Sequence, residues 1–221
     1  MILRIKIYPV ENTVENHLTD MLHRGLRELG EDPDTHPCEQ YLAYIDLLGH
    51  WNKAYNLTAI HSREEMLTFH ILDSLAVLPC IQGLCCLDVG TGAGLPGFPL
   101  ALARPAVRWT LLDSNRKKIR FLNHAVMQLH PPDVEIVHSR IEDYRPPHRF
   151  DTIIARAWTS LRKFHDHAAV LLNKNGRLVA MKGRRPEREL AELEKHKINF
   201  EIREINVPLV NITRLVVVMG V

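Results

Sequence analysis

Only four of the 221 residues are cysteine, Cys38, Cys80, Cys85 and Cys86, and none forms C-x-x-C. A disulfide framework is therefore not expected. The four read as reduced, small core residues of a cytoplasmic protein. Thirteen histidines include no H-x-x-x-H and no Cys/His metal spacing. His165 and His167 come nearest to a pair and read as a solvated helix face, so no metal site is expected. No run of about 18 apolar residues is present, so no transmembrane helix and no membrane partner are expected. The opening MILRIKIYPV is too short and too interrupted for a signal peptide. Repeats and low-complexity stretches are lacking too. Neither charge sign dominates: 28 Lys and Arg against 26 Asp and Glu give a net charge of +2. A nucleic-acid partner would have to be met by local patches. What remains is ordinary globular composition, 46% hydrophobic and 24% charged. That suffices for one substantial domain plus a small extra module.

The rhythm of the chain changes near residue 80. Residues 13–30 place Val14, Leu18, Met21, Leu22, Leu26 and Leu29 on one helical face and end on Gly30. EDPDTHP reads as a loop, and CEQYLAYIDLLGH, residues 38–50, as a second amphipathic helix. YNLTAI breaks that pattern. In SREEMLTFHILDSLAVLP, Ser62 and Glu65 form a capping box for a helix running to Pro79. Residues 1–80 are thus expected to be an N-terminal helical module. From 81 to 221 apolar strands alternate with helices, which predicts a mostly parallel α/β sheet. The seven strand segments are CCLDV, RWTLLD, VEIVHS, FDTIIARA, GRLVAMKG, FEIREINV and TRLVVVMGV. The last two follow each other with no helix between, which predicts a terminal hairpin that adds an antiparallel strand.

The stretch LDVGTGAGLPGFPLALA fits G-x-G-x-x-G at Gly92, Gly94 and Gly97. In an open α/β sheet the turn after the first strand borders the ligand. Asp113 ends the second strand, where a carboxylate commonly accepts hydrogen bonds from a ribose diol. NAD, FAD and S-adenosylmethionine all present that adenosine. The prolines discriminate among them. A pyrophosphate is held by free N–H groups at a helix N-terminus, and Pro96 and Pro99 have none to give. Together they favour a ligand without phosphates, S-adenosylmethionine. Asp88 either faces its ammonium or sulfonium side, or hydrogen-bonds the backbone of its own glycine turn.

YNLTAI, FHILDSLAVLP, LDVGTGAGLPGFPLAL, LLDSNRKKIRFL, SRIED, FDTIIARAW and AMKG occur in this order. Over roughly residues 38–218 the chain resembles the GidB/RsmG family of 16S rRNA methyltransferases. The resemblance implies the class I S-adenosylmethionine-dependent methyltransferase fold, a Rossmann-like seven-stranded sheet with an N-terminal helical extension. It implies methyl transfer to N7 of a single guanine in the 530-loop of 16S rRNA, guanine 527 in standard rRNA numbering, and so a partner in the small ribosomal subunit. It also implies cofactor contacts at Gly90, Leu95, Ile141, Glu142 and Arg156, beside Asp88, Gly92 and Asp113 from the residues themselves. A monomer is expected. DSNRKK departs from the pair common in relatives at Asn115-Arg116.

The fourth strand ends in Ala155-Arg156-Ala157-Trp158, not the Asp/Asn-Pro-Pro-aromatic of adenine amino-methyltransferases. No cysteine follows Cys86, which opposes the thiolate attack of cytosine C5 methylation. Guanine N7 needs neither, because it carries a lone pair and no proton, so no catalytic acid or base is expected. Arg116, Lys117, Lys118 and Arg120 on one helix, and Lys182, Arg184 and Arg185 after the fifth strand, are candidates to track RNA phosphates. Trp158 or Tyr144 could stack on an extruded base, though a core role is the simpler reading. His70 and Asp73, i and i+3, read as structural, with His70 bonding across the module boundary. Asn56 reads as a turn cap. Two other classes stay open on the residues alone: an NAD-dependent oxidoreductase, and a non-catalytic RNA-binding protein that keeps the fold.

Overall fold

The computed structural model describes residues 10–157 and 159–220, and for 10–15 the backbone alone. Val14 and Trp158 lie outside the described side chains. Seven strands form one sheet: β1 Cys85–Val89, β2 Arg108–Asp113, β3 Val134–His138, β4 Phe150–Arg156, β5 Leu172–Lys182, β6 Phe200–Val207 and β7 Ile212–Gly220. Their order is β3-β2-β1-β4-β5-β7-β6. The first five pair in parallel, and β7 runs antiparallel to both β5 and β6. The expected terminal hairpin is there, and β7 slots between β5 and β6. Strand order reverses between β1 and β4, which opens a crevice at the carboxyl ends of the strands.

Both faces of the sheet are covered, so the central strands are apolar throughout rather than alternating. The period of two shows in which core each residue joins. Cys86, Leu111, Ile154 and Val179 face one side, and Leu87, Leu112, Ile153 and Leu178 face the other. The first side is covered by α5 Gly97–Ala103 and α6 Arg116–Leu129, the second by α7 Leu161–Ala168 and α8 Glu187–Lys195.

The N-terminal helices continue the first side. α1 Val10–Glu28 buries Leu18, Leu22 and Leu26, and α2 Cys38–Tyr55 buries Tyr41, Tyr44, Ile45 and Leu48, in the same core as Phe98 and Phe121. Tyr44 stacks on Phe98 with centroids 4.9 Å apart, and its hydroxyl donates to the Ala93 carbonyl inside the glycine turn. Trp51 Nε1 donates to His124 of α6 at 2.9 Å.

EDPDTHP holds a short 3-10 turn, Pro33–Thr35, where a plain loop was expected, because Asp32 caps it through the Asp34 N–H. α2 runs to Tyr55 and stops at left-handed Asn56, φ 50°. The side chain that holds the following turn is Asn52, not Asn56: its Oδ1 accepts from the Thr58 N–H at 2.9 Å. Ser62 caps the next helix as expected, accepting from the Glu65 N–H at 3.1 Å. That helix is not uniform. It begins as α3 Arg63–Met66, widens to a π-helical segment Leu67–Leu72 and closes as α4 Asp73–Leu75. No described helix is long and apolar enough to cross a membrane.

Candidate active site

The glycine turn is folded by its own backbone and by β2. Gly90, Gly92 and Gly94 adopt φ of 67°, 65° and 91°, a region side chains resist. The N–H groups of Gly90 and Thr91 both donate to the Leu112 carbonyl, at 2.8 and 3.1 Å. Asp88 is fully buried and its Oδ2 accepts from Thr91 Oγ1 at 2.6 Å and from the Gly97 N–H at 2.8 Å. Of the two roles open to Asp88, the structure realises the backbone one. The carboxylate faces inward, off the cavity lining, because the returning chain needs an acceptor there. Burial pushes its pKa up to about 6, against the lowering pull of Thr91, Gly97 and the charge of Arg156.

α5 begins immediately after. Its first N–H, on Gly97, is spent on Asp88, and the second, on Phe98, is donated to the Gly94 carbonyl at 2.6 Å. The third position is Pro99. No donor of this first turn is left for a pyrophosphate.

A cavity of about 610 Å³ opens over this turn, at the carboxyl ends of β1, β2 and β4. That volume suits a small-molecule ligand. Gly90, Gly92, Leu95, Asp113, Ile141, Glu142 and Arg156, expected from the sequence, all line it. Asp113 Oδ2 accepts from the Gly92 N–H at 2.9 Å and Oδ1 from the Asn115 N–H at 2.7 Å, so the carboxylate is fixed. Lys118 Nζ stands 3.6 Å away. Each oxygen keeps lone-pair capacity for a diol. Ile141 heads a 3-10 turn, Ile141–Asp143, and is buried, both core member and cavity floor. Glu142 is exposed, with His167 Nε2 at 3.8 Å from its carboxylate.

Arg156 ends β4, and its Nη1 donates to the Phe69 carbonyl at 3.2 Å and to Asp73 Oδ2 at 3.3 Å. The other oxygen of Asp73 accepts from Arg214 Nε at 2.8 Å. Asp73 is thus a buried carboxylate clamped by two guanidinium groups, one from β4 and one from β7. His70 is not bonded across the module boundary: its Nε2 shares a 2.9 Å hydrogen bond with Thr58 Oγ1, inside the helical module. It is buried and lines the cavity, and burial, with Arg156 nearby, lowers its pKa to about 4.

The basic candidates divide. Arg116, Lys117 and Arg120 are exposed on α6, while Lys118 turns inward to Asp113. Lys182 is not available to a phosphate. Its Nζ donates to both oxygens of Glu189, at 3.1 and 2.9 Å, and to the Thr159 carbonyl at 3.2 Å. A lysine ending a buried strand needs a counter-charge, and the first helical turn after it supplies one. Arg184 is exposed, as is Arg185, which pairs with Glu187 at 2.8 Å. Tyr144 packs against Phe150, centroids 6.5 Å apart, and offers no stacking surface. Thr58, His70 and Lys118 were not foreseen as cavity walls, nor Arg214 as part of the site. FHILDS marked His70 as notable, but for a structural hydrogen bond, and YNLT drew attention to Asn56 rather than Thr58. Nothing local marks Arg214.

The family model GidB, described as rRNA small subunit methyltransferase G, matches residues 37–217. Ribosomal RNA small subunit methyltransferase G of Nitrosococcus oceani is 47% identical over 198 residues, 88% of this chain and 91% of that protein. The protein of that name in Pseudomonas aeruginosa is 47% identical over 183 residues, 82% and 86% of the two chains. Among solved structures, a SAM-dependent methyltransferase from Aquifex aeolicus superposes with a TM-score of 0.54 at 20% identity, covering 71% of this chain and 93% of that one. A caffeoyl-CoA O-methyltransferase-like protein from Staphylococcus aureus gives 0.54 at 13%, covering 80% and 92%. These likenesses show the fold, the class I methyltransferase α/β sheet. By its sequence the chain belongs to the GidB family, the rRNA small subunit methyltransferases G.

Proposed function

We propose that this chain transfers the methyl group of S-adenosylmethionine to N7 of a single guanine in the 530-loop of 16S rRNA, working as a monomer on small-subunit RNA in the cytoplasm. The observation that carries the cofactor reading is the donor set of the cavity over the glycine turn. Asp113 is held with free lone pairs for the ribose diol, Ile141 and Leu95 give an apolar seat for the adenine, and the bare backbone of Gly90 and Gly92 permits close approach. Glu142 stands where it can read the amino edge of the base, and Arg156 where it can meet a carboxylate. The committed donors of α5 oppose any ligand that needs a phosphate cradle.

When bound, the cofactor supplies an electrophilic methyl group that passes to the N7 lone pair as the sulfonium becomes a neutral thioether. N7 carries no proton, so the residues have none to move. His70 is held neutral and bonded to Thr58, and Asp88 is walled off beneath the turn. The chain's contribution is orientation, which for well-aligned reactants is worth about 7–11 kcal/mol. Exposed Arg116, Lys117, Arg184 and Arg185 would guide the RNA backbone.

The test is methyl transfer from labelled S-adenosylmethionine to small subunits from cells lacking this gene, with the modified base mapped. The expected result is one 7-methylguanosine in the 530-loop. Binding of S-adenosylhomocysteine with no label in 16S rRNA would overturn the acceptor assignment and leave the cofactor assignment standing.

A further inference from the structure

A second cavity, of about 410 Å³, adjoins the first and shares His70, Arg156 and Ala157 with its lining. A methyl group held in the first cavity must leave toward an acceptor that meets it directly, and the adjoining cavity, which shares three residues with the first, offers a place for one. The second cavity is built unlike the first. Ile60, Phe69 and Met181 give it an apolar lining, and Asp73 and Arg214 border it with Arg156. Lys182 also borders it, but its charge is cancelled by Glu189. Asp73 is outnumbered by its two arginines, so the wall keeps one net positive charge.

The fork of Arg214 is fixed from behind. Its Nε is spent on Asp73, which leaves the two terminal nitrogens to point elsewhere. Nη1 borders Gly183: a Cβ there would stand 3.6 Å from it, and the lack of one keeps the approach open. Arg214 reaches this place through strand direction. β7 is the antiparallel strand, so its first residues lie at the edge where the parallel strands end.

We propose that this second cavity receives the extruded acceptor guanine, that Arg214 donates to its O6, and that Asp73 is the positioning residue that aims Arg214. The proposal rests on the guanine-N7 reading above. Guanine presents two acceptors on that edge, O6 and N7. A guanidinium bidentate to both would block the reacting lone pair, so a fork restrained by Asp73 to meet O6 alone leaves N7 free. Adenine presents an amino donor at the same position and would set donor against donor.

The test pairs the chain with reconstituted small subunits carrying at the target either guanosine or 2-aminopurine riboside, which keeps N7 and lacks O6. For the natural chain, kcat/KM should fall about tenfold or more on the analogue. Arg214→Ala should lose a similar factor on guanosine and change by no more than about twofold on the analogue. The intrinsic nucleophilicity of the analogue cancels in that comparison. Arg214→Lys keeps a cation for Asp73 and loses the fork, so it should follow Arg214→Ala while preserving the fold. S-adenosylhomocysteine affinity should stay unchanged in both. Equal losses on the two substrates, or a natural chain indifferent to O6, would overturn the proposal. A natural chain inactive on guanosine subunits would instead sink the guanine-N7 reading, and this inference with it.

Discussion

The carboxylate of Asp88 and the peptide N–H of Gly97 meet at 2.8 Å, and a Cβ on Gly97 would stand 2.7 Å from the same oxygen. The bond closes the glycine turn, and the bond requires glycine. Gly97→Ala should therefore cost about 1–3 kcal/mol of stability by overpacking. It should also weaken S-adenosylhomocysteine binding, because Gly90 and Gly92 ride on the same turn. Thermal melts with and without ligand check it; an unchanged melting temperature would show that the turn can relax.

Asp88 should also shape the dependence of stability on pH. Burial raises its pKa from 3.8 to about 6, so the folded chain holds this proton more tightly than the unfolded chain does. The group's contribution is complete below about pH 3.8 and is lost as pH rises through about 6. A rise of that size corresponds to about 3 kcal/mol between the two limits. Asp88→Asn cannot ionise, so in denaturant titrations across pH 4–7 the stability of the natural chain relative to the variant should fall as pH rises.

His70 acts with the opposite sign. Its pKa is lowered from 6.5 to about 4, first by burial and then by the charge of Arg156. Its contribution is complete above about pH 6.5 and is lost as pH falls through about 4. The two limbs offset each other in the natural chain, and Asp88→Asn should expose the histidine one. His70→Gln, which keeps a partner for Thr58, should remove it. Because His70 stays neutral, the pH profile of methyl transfer should have no inflection near 6.5 from this group.

Asp113→Ala removes the acceptor of the Gly92 and Asn115 N–H groups and the carboxylate offered to the ribose. S-adenosylmethionine affinity should fall by about tenfold or more, with the rate at saturation reduced far less. Unchanged affinity with turnover abolished would restore an acid–base role to this carboxylate.

Lys182→Glu should destabilise the fold, because it sets a carboxylate against Glu189 in a half-buried site. Melting temperature, cofactor binding and RNA methylation should fall together. Arg184→Glu and Arg185→Glu, both exposed, should leave melting and cofactor binding alone and weaken RNA methylation, more so at higher salt. A selective RNA defect in Lys182→Glu with normal melting would put that lysine back on the RNA surface.

The architecture was legible because its signals are short-range. Apolar runs such as CCLDV and FDTIIAR need only their neighbours to read as strands, and Ser62 with Glu65 marks a helix start three residues apart. The glycine turn with its two prolines restricts backbone angles and N–H donors, both properties of the residues themselves, so it pointed to a ligand without phosphates. Sequence by itself determined the strand–helix order, the turn and the cavity wall at Asp113 and Ile141. Tertiary structure decided which charges are spent. Asp73 meets Arg156 and Arg214 across 83 and 141 residues of chain. Lys182 meets Glu189 only because α8 folds back over the end of β5. Asp88 faces inward because the chain returns beneath it at Gly97. Periodicity describes one element at a time, whereas an ion pair depends on where two elements cross. The role of a charged side chain is therefore settled by packing, even where its neighbourhood is already plain in the sequence.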